Sequence, residues 1–206
     1  MCWAKAGTDK EERECHESQF QGGIGLARLP ADPLDGGWDL MAPATAPLVL
    51  TNFTLIKKWG QYHVTGTQSG FWEMERPQVL YNQGRYHLFF HCWGFHINPD
   101  WAGKHLPRGL EYGNQHSLLY HFEASIAEGP YMPSKSTPVV PGSAETGLYG
   151  VHFVPAPRSM SLTGSPEWIV FGWNRGEVSL EISGTYHFRF DADGSPLLFR
   201  PLVSRL

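Results

Sequence analysis

Apolar residues in this chain recur with a period of two, in runs of about four to eight positions closed by glycine, proline, asparagine or aspartate, which is the pattern of half-buried strands joined by turns. The first such run is "GGIGLARL" (22–29), ended by the turn cluster "PADPLDGG". "WDLMAPATAP" follows as an extended piece whose prolines forbid a helix interior. "FTLIKKWGQYHVTGTQ" (53–68) reads as strand, turn and strand around Trp59 and Gly60. The same form is clearer in "RPQVLYNQGRYHLFFHCW", where "VLY" and "RYHLFFH" flank the turn "NQG". Residues 94–115 carry glycine, proline and asparagine without an apolar period and predict a long surface loop of the kind that often bears function.

The run "HSLLYHFEASI" (116–126) predicts another strand, and "AEGPYMPSKSTPVV" a descent punctuated by proline. "YGVHFVPAP", "PEWIVFGWN", "GTYHFRFD" and "SPLLFRPL" supply four more, the last two as a hairpin across "DADG" (191–194). No segment has a helical period, so the fold class is all-β. A radial, bladed arrangement accommodates many short meandering strands; a sandwich fits the pattern as well. Residues 1–19, charged and without period, read as a disordered leader, and 20–206 as one domain.

Composition narrows the partners. Aromatic residues make up 14% of the chain, with 23 Gly and 16 Pro, a mixture suited to turns and strands. A net charge of -4 offers no basic stripe, which argues against nucleic acid. No apolar stretch approaches the ~18 residues of a membrane span, and the N-terminal segment lacks the apolar core of a secretory signal. Cys2, Cys15 and Cys92 have no CxxC spacing and predict free thiols. His91 with His96, and His116 with His121, lack the spacing of a zinc site, so no metal is expected; "DADG" fits a hairpin turn better than a calcium loop. No Gly-x-Ser-x-Gly, P-loop or GxGxxG occurs, and no cofactor is implied.

The chemistry concentrates in "WEMERP". In an extended chain Glu73 and Glu75 point one way while Trp72, Met74 and Arg76 point the other. Two carboxyls about 6–7 Å apart at their Cα atoms resist double ionisation, so one holds its proton to higher pH, as a general acid must. The alternative is a solvated strand face with no chemistry.

The order "QGGIGLARL", "WDLMAP", "EMERPQVLYNQGRYHLFF", "SIAEGPYMP", "YGVHFVPAP" resembles the second half of the levansucrase and inulosucrase family, the fructosyltransferases of glycoside hydrolase family 68, over about residues 20–200. The most specific part is the Glu-x-Glu-Arg-Pro box with its trailing aromatic strand. The resemblance implies a five-bladed β-propeller, here incomplete with about three blades. It implies transfer of the fructosyl unit of sucrose with retention of configuration, and sucrose and fructans as partners. Glu75 falls at the family's acid/base and Glu73 at a sugar-binding glutamate. Arg76 would hold the box or make a plain surface salt bridge; Tyr149 and His152 lie where the family places sugar-binding side chains, or pack in the core. An extracellular or periplasmic address is also implied, although no signal is visible.

Two departures qualify the likeness. The nucleophile and the Arg-Asp-Pro aspartate belong upstream in the family; no Arg-Asp-Pro occurs here, and Asp39 falls in the Trp-Leu-Pro stretch instead. After the aromatic strand this chain reads "HCWGFH", which puts Trp93 where relatives carry Arg or His, with His96 close by. An insert of about 20 residues before the box costs little in loop closure, and "FTLIKKWGQYHVTGT" predicts an added hairpin. The chain is therefore expected to carry the acid/base part of a fructosyltransferase site. The alternatives are a non-catalytic carbohydrate-binding propeller fragment and a related furanosidase that hydrolyses fructosides or arabinosides.

Overall fold

The computed structural model describes residues 22–26, 47–59, 63–106, 117–139, 148–160, 166–175, 180–182 and 185–199. The leader 1–19, residues 38–46 of the "WDLMAPATAP" stretch with Asp39 among them, Cys2, Cys15 and His116 lie outside them. The described residues are all-β with two short helices, and they form three sheets.

The first sheet joins β1 (Gly23–Gly25), β2 (Leu48–Asn52) and β3 (Val64–Ser69). Between β2 and β3 the sequence predicts a strand, but Phe53–Trp59 is a helix, α1. Its start is legible afterwards: the Asn52 side-chain oxygen accepts from Thr54 N–H at 2.6 Å, as an N-capping residue does. The helix turns Leu55 inward and makes β2 and β3 parallel, so the predicted inserted hairpin is a strand–helix–strand crossover.

The second sheet has the order β4 (Glu75–Asn82), β5 (Arg85–Trp93), β6 (Ser117–Ala124), β7 (Met132–Pro133), all antiparallel. The predicted "NQG" turn is present. Gln83 and Gly84 form a two-residue loop with φ of 50° and 78°, the double positive φ that matches the twist of a tight hairpin. The predicted loop after β5 instead holds a 3-10 turn, Gly94–His96, and a helix α2, Pro99–His105. Asn98 caps α2 by accepting from Asp100 N–H and Trp101 N–H (2.9 and 3.2 Å), with Pro99 next in a place where no N–H is needed.

The third sheet contains β8 (Tyr149–Pro155), β9 (Trp168–Arg175), β10 (Leu180–Ile182), β11 (Tyr186–Phe190) and β12 (Pro196–Phe199). The hairpin across "DADG" forms, with Asp191 Oδ1 accepting from Asp193 and Ser195 N–H groups.

The middle sheet is buried on both faces, which explains why "HLFFHC" reads as a continuous apolar run. Leu88, Phe90, Cys92, Leu118, Tyr120 and Phe122 pack toward Ile24, Val49, Leu50 and Phe71 on the first-sheet side. Phe89 and Leu119, on the opposite face, pack against Val151, Trp168, Val170 and Phe188 of the third sheet. The alternation of β5 therefore divides one strand between two cores. Cys92 is a free, fully buried thiol, pushed up by burial. No described helix is long and apolar enough to cross a membrane.

Phe71 anchors the first core. Its ring meets Tyr120, Phe90, Trp101 and Phe122 edge-on at 4.6, 5.0, 5.3 and 5.8 Å and is 0% exposed. Phe71→Ala is expected to cost about 3–5 kcal/mol in denaturant unfolding, whereas Tyr81→Ala, at a ring that is 63% exposed, should leave the midpoint nearly unchanged.

Candidate functional site

The segment between β3 and β4 carries the glutamate pair, and its neighbours hold it at several points. Trp72 N–H donates to the His96 carbonyl (2.8 Å), Asn98 N–H to the Gly70 carbonyl (2.8 Å) and Gly22 N–H to the Trp72 carbonyl (3.0 Å). A side chain at Gly70 would place its Cβ 2.6 Å from Trp101 Cβ, so this close crossing requires glycine. Phe71 and Met74 are buried in the first core.

Glu73 is 7% exposed, and its Oε2 is hydrogen-bonded to Nδ1 of His96, itself 3% exposed. Glu75 opens β4 opposite His91 of β5. The extended alternation expected over 72–76 ends at Arg76, which has φ +53° and points to solvent beside a register slip between Glu75 and Gln78. A non-glycine residue in the left-handed region is strained, and such strain collects at functional sites. The Glu73 side chain nevertheless lies near enough to Glu75 to raise its carboxyl.

Burial is the largest cause holding the Glu75 carboxyl above its ordinary range, and the hydrogen bond to Glu73 and the charge of Glu73 act in the same direction. Two groups oppose them. The Tyr149 hydroxyl donates to Glu75 Oε2 at 2.5 Å, and the Arg76 guanidinium favours the ionised form. Burial pushes the Tyr149 phenol up to about 12, with the Glu75 hydrogen bond second, so the phenol keeps its proton and remains a donor. Tyr149, Glu75, Glu73 and His96 make one connected set: the Tyr149 hydroxyl donates to Glu75, burial and Glu73 raise the Glu75 carboxyl, and His96 Nδ1 is hydrogen-bonded to Glu73.

His91 supports the set from behind. Its Nε2 accepts from Val151 N–H at 3.3 Å, two residues along β8 from Tyr149, and its ring lies 5.6 Å from the Tyr149 ring. Burial first, then Arg76, presses its pKa down to about 3. The sequence reading missed His91 as a neighbour of Glu75. Counting pairs outward from the "NQG" turn sets His91 against Arg76, and the slip at Arg76–Pro77 moves it to Glu75.

Of the candidate residues, Glu73, Glu75, His96 and Tyr149 are joined by hydrogen bonds, and Arg76 acts on Glu75 through its charge. Trp93 ends β5, half-buried, just before the turn that delivers His96. The His152 ring stacks on Phe171 at 5.6 Å, and a register slip separates it from Tyr149. The described aspartates are Asp100 on α2 and Asp191 and Asp193 in the β11–β12 turn.

The raised carboxyl has a sign in stability. A Glu whose folded pKa is raised loses stability as pH rises through that pKa, while neutral, buried His91 makes the protein lose stability as pH falls below about 6.5. Only the difference between wild type and Glu75→Gln isolates Glu75. Chemical denaturation across pH 4–8 should show that difference moving in favour of the glutamine variant as pH rises; an opposite slope would contradict the site geometry.

No protein-family model matches the sequence, and no curated protein matches it. Among solved structures the chain is similar to the levansucrase of Bacillus subtilis, with 14% identity and a TM-score of 0.45 over 63% of this chain and 28% of that one. It is similar to a levansucrase complexed with sucrose (13% identity, TM-score 0.45, 63% and 28%) and to a variant of the B. megaterium levansucrase (13%, 0.42, 63% and 28%). The chain thus spans just over a quarter of the length of each.

Proposed function

We propose that this chain carries the acid/base part of a sucrose-acting fructosyltransferase site of the levansucrase type, built on part of a β-propeller. What supports it best is the Glu75 carboxyl, held above its ordinary range by burial and by Glu73 and hydrogen-bonded by the Tyr149 hydroxyl. A general acid for a departing sugar oxygen needs a carboxyl that is still protonated near neutral pH. Glu73, fixed by His96, is the group to accept from sugar hydroxyls in this reading, with Arg76 acting on Glu75 through its charge.

Glu73 is not the nucleophile in this reading. Retaining enzymes hold acid and nucleophile about 5–5.5 Å apart, whereas hydrogen-bonded carboxyl oxygens approach to about 2.5–3 Å. The attacking carboxylate in this reading therefore comes from outside the hydrogen-bonded set of Glu73, Glu75, Tyr149 and His96. When a nucleophilic aspartate is supplied on the same polypeptide, Glu75→Gln should lower glucose release from sucrose by about 10²–10⁴-fold. The same variant should cost far less with fructosyl fluoride, whose leaving group needs no proton. Equal losses on both donors would remove Glu75 from the acid role.

The lack of an Arg-Asp-Pro motif favours a second reading, a carbohydrate-binding propeller fragment. Calorimetric titration with sucrose separates it from the first: both predict binding weakened by Glu73→Gln, and only the first predicts product when the aspartate is present.

A further inference from the structure

Near the turn end of β5, away from the glutamate pair, three metal-ligating side chains share one face of the middle sheet. His87 and Glu123 are direct cross-strand partners, and His121 stands two residues before Glu123. One ligand atom from each lies within 4.8 Å of the others. No linear spacing announces this cluster, because strand pairing assembles it.

We propose that His87, His121 and Glu123 form a binding site for a zinc-class divalent cation. His87 Nδ1 and His121 Nε2 face each other at 3.0 Å. On a tetrahedral ion with nitrogen ligands at about 2.0–2.1 Å, two such nitrogens stand about 3.3 Å apart, so the gap opens by only a few tenths of an ångström. The ion replaces the proton between the rings; one imidazole changes tautomer and no net proton is lost.

The surroundings orient the ligands as outer partners do in metal sites. His121 Nδ1 is hydrogen-bonded to Ser134 Oγ at 2.7 Å, which leaves Nε2 aimed at the cluster. Phe89 stacks on His121 at 4.6 Å, and the Phe190 ring lies 4.1 Å from His87. Glu123, 24% exposed at its side chain, gives the ion an entrance from solvent and is held by Arg85 Nε at 2.9 Å. Two imidazoles with one carboxylate suit zinc, cobalt or nickel over calcium or magnesium. The fourth position is open, and the ion would staple β5 to β6.

The test uses the full chain stripped with chelator and titrated with zinc chloride by calorimetry, with cobalt(II) absorption as a second reading. One ion per chain, tetrahedral cobalt bands and a rise in melting temperature are expected. Glu123→Gln, at a partly exposed side chain, should weaken zinc binding by at least about tenfold with an unchanged circular dichroism spectrum. Arg85→Ala should tighten it, because the carboxylate is released to the ion. No zinc uptake, an affinity unmoved by both Glu123→Gln and His121→Ala, or an equal response to calcium would overturn the proposal.

Discussion

Burial of the β5–β6 pair on both faces is the constraint on which the rest depends. Leu88 and Phe90 face one core while Phe89 faces the other, so neither neighbouring sheet can move without opening a packed surface. At close-packed density a lost methylene is felt, and here it would be felt on two sides of one strand. The same geometry carries His87 and His91 into the dry interior on the third-sheet face, where each is neutral for want of solvent.

The carboxylate set follows from that frame. β5 brings His91 up to Glu75, His91 takes an N–H from β8, and β8 then delivers Tyr149 to Glu75. On the other side, the turn leaving β5 folds back over 70–74 and sets His96 against Glu73. Each glutamate is thus addressed by a different element. Glu73 is held by His96, while burial and the neighbouring Glu73 raise the Glu75 carboxyl against the opposing pull of Tyr149 and Arg76.

Much of this was legible in the sequence. The period of two, the "NQG" turn and the "DADG" hairpin located many of the strands and two hairpins, though not β2, because alternation and positive-φ turn residues are local signals. The helices were not read, since Thr54 and Ile56 favour strands and Pro99 with Gly103 imitates a loop, while the caps at Asn52 and Asn98 that start them are single residues. The nearness of Glu73 and Glu75 followed from alternation. The identity of their partners did not, because Tyr149 and His96 arrive from other elements and a one-residue slip at Arg76 decides what lies opposite Glu75. The His87–His121–Glu123 cluster was hidden for the same reason: it exists only once β5 and β6 are paired.

The most direct measurement is the titration of Glu75 itself, by carbon NMR of the side-chain carboxyl in the intact chain with Glu75→Gln as the assignment control. The account predicts a midpoint above the ordinary glutamate value of 4.5. A midpoint at or below that value would mean that the carboxyl is solvated and charged like any surface glutamate, and it would contradict the acid role.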